Sequence, residues 1–140
     1  MYEYIQKFHS GWAYLALLLL VLAVANSALG FFSKREFTPK DKKIALFALI
    51  VTHIQLTAGF VLYFLSPLGL SAFGDMKNTA LRLTSLEHPA TNIIAIVLIT
   101  IGWSKHKKIA ESTAKFKFIT IFYGLGLLLI LSKIPWSLWF

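Results

Sequence analysis

Residues 44–65 read IALFALIVTHIQLTAGFVLYFL. The stretch is as long as a helix that crosses a bilayer, about 20 apolar residues, and it holds no charged side chain. His53 lies close to its middle. An imidazole in hydrocarbon is costly unless something uses its nitrogens, so its position marks a candidate functional site. Two readings stand: a hydrogen bond to a neighbouring helix, and a ligand to a metal inside a small helical bundle.

Three further apolar stretches flank this one. The first runs over 11–32. Ala23-Val24-Ala25 resembles a signal-peptidase site, but the positive flank, Lys34 and Arg35, follows the span instead of preceding it. It reads as an uncleaved transmembrane helix. His9, Ala13, Ala16, Leu20, Ala23 and Ser27 share one arc at 3.6 residues per turn. Small residues in such a stripe let helices approach closely in lipid. His9 then either points into the bundle near its end or sits at the interface beside Trp12 and Tyr14.

The third stretch is expected over 79–104. Its unbroken apolar part after Pro89 ends at Trp103. That covers only about 22 Å at a rise of 1.5 Å per residue, against a hydrocarbon core of about 30 Å. The length favours a helix that starts before His88 and continues through a kink at Pro89. The other reading puts Pro89 in the first turn with His88 as cap. Thr84, Thr91 and Asn92 lie on the side of His88 and could fix its tautomer. The fourth stretch, 117–135, has no histidine, and His106 falls in a basic loop where a solvated role is expected.

Four such spans make the chain an all-α integral membrane four-helix bundle in a single domain covering 1–140. Composition agrees: 57% of residues are hydrophobic and 14% charged, against roughly 25% charged in soluble domains. The mean hydropathy is +0.69. The net charge of +8 sits in loops between apolar spans, so topology explains it and nucleic acid is not an expected partner. Five Lys and Arg fall in 33–43 and five in 104–117, leaving Lys7, Lys77, Arg82 and Lys133 elsewhere. The positive-inside rule puts both basic loops in the cytoplasm and both termini outside.

There is no cysteine. That excludes disulfides, thiolate metal sites, iron–sulfur clusters and covalent c-type haem attachment. A haem here would be held non-covalently, by histidines. The aromatic and aliphatic face around His53 (Leu49, Ile50, Leu56, Thr57, Phe60 and Phe64) would suit a porphyrin plane or ordinary packing. Helical rise puts His53 about 15 Å, His88 about 22 Å and His9 roughly 34 Å from the cytoplasmic edge. Similar depth makes His53 and His88 the expected axial pair, with His9 and His88 second. Arg82 is expected near the haem propionates, which a cation would hold ionised. No catalytic acid–base pair or nucleophile stands out.

The stretches HSGW at His9–Trp12, DKKIALF at Asp41–Phe47, THIQLTAGFVLYF around His53 and LEHP around His88 carry a resemblance. Over nearly its whole length the chain resembles small four-helix bacterial membrane proteins labelled cytochrome b-like. More distantly it is similar to half of a haem A synthase. The resemblance implies haem b and electron transfer in the bacterial inner membrane, with a redox protein or quinone as partner and a place in a larger respiratory complex. The alternative is a cofactor-free membrane scaffold or accessory subunit whose histidines only bridge helices.

Overall fold

A computed structural model describes residues 1–139; Phe140 lies outside the described residues. The fold is all-α. Helix α1 spans Tyr2–Ser33, α2 Pro39–Leu65, α3 Thr79–Lys107, α4 Ser112–Ser132 and the short α5 Trp136–Trp139. A single 3₁₀ turn, Leu70–Ala72, interrupts the connection from α2 to α3. Helices α1 to α4 are each long and apolar enough to cross a membrane, and the chain is a multi-pass membrane protein. Polar turns lengthen α1 and α3 beyond their apolar stretches. Helix α4 begins earlier than its apolar run suggests and stops at Ser132. Pro135, three residues further on, disfavours helical geometry at Ile134.

The four long helices form a ring in which α1 and α3 each pack against both α2 and α4. The small-residue stripe on α1 faces inward: Ala16, Leu20, Ala23 and Ser27 are buried. On α2 the matching stripe is Asp41, Ala45, Ala48 and Thr52. These faces close the half of the bundle nearest the two basic loops. Leu20, Ala23, Ala45, Ala48, Ile99, Ile119 and Tyr123 form its core. The buried Tyr123 hydroxyl donates to the Ala45 carbonyl at 2.9 Å, so its one polar atom is satisfied inside the core.

A polar knot ties the loop between α1 and α2. Asp41 receives the Arg35 guanidinium on both oxygens, at 2.9 and 2.8 Å. It also accepts from the Asn26 amide at 2.9 Å and from the Thr38 backbone N–H at 2.9 Å. Asp41 thereby completes a capping box with Thr38 at the start of α2. Pro39 occupies the first helical position, where its missing N–H costs nothing.

Helix α3 is continuous across Pro89. Proline at 89 cannot donate to the carbonyl of residue 85, and its ring crowds that carbonyl. The chain answers with a π-helical turn over Leu83–Glu87, closed by the His88 N–H bonding to the Leu83 carbonyl. The freed Ser85 carbonyl accepts instead from the Tyr63 hydroxyl of α2, at 2.8 Å. The length argument for a helix that starts well before His88 therefore describes the fold, and the start is Thr79, with Asn78 as cap.

Candidate functional site

Away from the basic loops the ring of helices opens into a cavity of about 450 Å³. Small-molecule and cofactor sites typically occupy 300–1,000 Å³. Helix α1 contributes His9, Ala13 and Ala16; α2 contributes Gln55, Leu56, Gly59 and Tyr63; α3 contributes Ser85, His88, Asn92 and Ile96. Trp139 of α5 also lines it and donates through its indole N–H to the Ser10 carbonyl at 3.2 Å, which pins α5 to α1.

The cavity brings His9 and His88 together. Their ring centres are 6.3 Å apart and their planes meet at 82°. The Nδ1 of His88 lies 2.9 Å from the Lys133 carbonyl. A carbonyl only accepts, so Nδ1 carries the hydrogen and Nε2 keeps its lone pair. The Asn92 amide donates to the His88 carbonyl at 2.6 Å and flanks the ring. Of the polar neighbours expected to fix the His88 ring, Asn92 bonds the His88 backbone carbonyl and Thr84 the Ala80 and Leu81 carbonyls; the ring's own partner is a carbonyl from beyond α4. His9 is held through its backbone: its carbonyl accepts from the Gln55 amide at 2.7 Å. The His9 Nδ1 is buried and has no hydrogen-bond partner. Gly59 makes room for the ring, since a Cβ there would lie 3.1 Å from His9 Cε1.

His53 is not brought to this cavity. It is exposed on the outer face of α2. Its Nδ1 is 2.8 Å from the Leu49 carbonyl, and its Nε2 is 3.3 Å from the Thr100 hydroxyl. The structure therefore brings His9, not the expected His53, beside His88. The reason is helical phase: Ala45, Ala48 and Thr52 set the inward face of α2, and His53 follows Thr52 by about 100°. Of the apolar face around His53, Ile50 and Phe64 are exposed, while Leu56 and the partly exposed Phe60 line the cavity.

Arg82 bonds to Glu87 at 3.2 Å and to the Met76 carbonyl at 3.2 Å. Lys133 approaches the other Glu87 oxygen at 3.7 Å. Arg82 does not line the cavity. His106 is corrected: it is buried, not solvated, and packs against Trp103 and Phe37. Gln55 and Tyr63 join the site unexpectedly; their spacing of four residues on either side of Gly59, one helical turn each, is the signal the sequence carries.

Compared with family models, curated proteins and solved structures, the chain matches none of them.

Proposed function

We propose that the cavity holds a b-type haem non-covalently between His9 and His88, and that the protein passes electrons within the membrane. The observation that carries this reading is the separation of the two rings. A metal sits about 2.0–2.1 Å from an imidazole nitrogen, and the ring centre lies roughly 1.1 Å behind it, so two imidazoles facing each other across one metal would have centres about 6.2 Å apart. The rings here are 6.3 Å apart. The donor chemistry supports the same choice. Among the described residues no group of three or more His, Cys, Asp or Glu could hold a metal ion. Two imidazoles suffice only for an iron that brings its other four donors with it.

The residues then divide the work. His88 presents a lone pair because its other nitrogen donates to the Lys133 carbonyl. Leu56, Phe60 and Ile96 supply the apolar walls. A haem held by these two imidazoles would supply one-electron transfer. The basic loops 33–43 and 104–117 face the cytoplasm in this reading. The cavity then lies toward the outer side, with both termini there. The resemblance to cytochrome b-like proteins supports the bacterial inner membrane as the location, with a quinone or redox protein of a larger complex as partner.

The test is spectroscopic. Protein purified in detergent from haem-replete cells is expected to show a Soret band, and visible bands that sharpen on reduction. His9→Ala and His88→Ala should each abolish or convert the low-spin spectrum, while His53→Ala and His106→Ala retain it. Colourless protein that takes up no added haem b would overturn the reading. The two rings would then be an edge-to-face pair in a cofactor-free scaffold.

A further inference from the structure

We propose that Gln55 is the positioning residue of His9: with haem held at the site, its Oε1 takes up the Nδ1–H of the His9 ring, a bond not made in the present structure, and fixes which nitrogen is left for the ligand. This rests on the reading of His9 as a haem ligand. Two buried polar atoms in this corner have no partner, His9 Nδ1 and Gln55 Oε1. They belong to residues already joined, because the Gln55 Nε2 donates to the His9 carbonyl at 2.7 Å. One is the nitrogen that must carry hydrogen when the other nitrogen binds a metal. The other is an acceptor with nothing to accept. Buried groups of opposite sense are expected to pair.

Gly59, one turn beyond Gln55, adds the second half of the seat. Any side chain there would press on His9 Cε1, the ring carbon between the two nitrogens, from 3.1 Å. Helix α2 thus holds His9 by its backbone carbonyl through Gln55 and leaves room for its ring at Gly59. His88 receives the equivalent support from the Lys133 carbonyl. Partners of this kind commonly change metal affinity by about 10–100-fold when removed.

The experiment uses the full chain in detergent with added haem b. Three readouts are followed: haem affinity, midpoint potential by redox titration, and the low-spin electron paramagnetic resonance signal. Gln55→Leu should weaken haem binding at least about tenfold and broaden or shift the low-spin signal. Gln55→Glu keeps an acceptor and loses the donor. It should hold haem better than Gln55→Leu and lower the midpoint potential, because a carboxylate raises the basicity of the ligand. A separate measurement does not depend on the carboxylate variant folding. The His9 Nδ1 proton, followed by nitrogen-15 NMR in the haem-loaded protein, should exchange faster in Gln55→Leu than in the unaltered chain. If Gln55→Leu matches the unaltered chain in affinity, potential and exchange, the role of Gln55 is overturned while the haem reading stands. If the unaltered chain binds no haem, both are overturned.

Discussion

The Tyr63 hydroxyl donates to the Ser85 carbonyl at 2.8 Å, occupying the acceptor that Pro89 leaves without a helical donor. The bond joins α2 to α3 across the cavity wall, three residues before His88. Removing it leaves a buried carbonyl unpaired beside a π-helical turn. Tyr63→Phe is therefore expected to destabilise the protein by about 1–3 kcal/mol. Thermal unfolding in detergent measures this. A midpoint unchanged within error would show that water satisfies the carbonyl.

The outcome also bears on how much was legible in the sequence. The four helices were, because runs of apolar residues as long as a bilayer leave little choice of structure. The inward stripe of α1 was legible as well, since Ala16, Ala23 and Ser27 are small and recur at intervals of seven and four residues, on one helical face. The phase of α2 was not. In lipid both faces of a helix are apolar, so hydrophobic periodicity loses its contrast. Helix α2 then offers His53 and Gln55 as equally plausible inward residues. The small residues Ala45, Ala48 and Gly59 carried the answer, and the central histidine drew attention from them. His106 was misplaced for a related reason. Its neighbours Lys105 and Lys107 are exposed, but one position in three or four on a helix end still faces the core.

Orientation is testable because the chain has no cysteine. Gly74 is exposed, and a Cβ there meets nothing within 4 Å. Glu111 is exposed beside the other end of the bundle. Single cysteines are introduced as Gly74→Cys and Glu111→Cys. An impermeant maleimide is expected to label position 74 in intact cells and position 111 only after the cytoplasmic side is opened. The reverse pattern would invert the topology and place the cavity toward the cytoplasm.

Asp41 separates stability from the cavity. It is 4% exposed and gathers Arg35, Asn26 and Thr38 at the basic-loop end. Breaking a fully buried ion pair by removing one partner costs about 3–5 kcal/mol. The Arg35 side chain remains 39% exposed and can turn to water, so Asp41→Asn is expected to cost less, about 1–3 kcal/mol. Denaturation should register that loss. On the proposed haem reading, haem content per folded molecule should stay at the unaltered level, because no member of the knot lines the cavity. A selective loss of haem would instead tie this loop to the site.

Gly124 and Gly126 sit one residue apart on α4 and make opposite predictions. A Cβ at 126 would meet Ile99 Cγ1 at 2.7 Å and the Ala95 carbonyl oxygen at 3.0 Å. Ile99 can turn aside, but the backbone of α3 cannot move without separating the two helices. A Cβ at 124 finds only Val24 Cγ1, at 4.0 Å. Both positions gain about 0.5–1 kcal/mol in helix propensity when alanine replaces glycine. At 124 that gain is expected to stand, and Gly124→Ala should leave the unfolding midpoint equal or higher. At 126 overpacking of about 1–3 kcal/mol outweighs it, so Gly126→Ala should lower the midpoint. The strain also reaches the cavity, because Ile96, adjacent to Ala95, lines its wall. Gly126→Ala should therefore weaken cofactor retention as well, whereas Gly124→Ala leaves it intact. Equal behaviour of the two variants would mean that α3 and α4 are not held at the close distance that Gly126 permits.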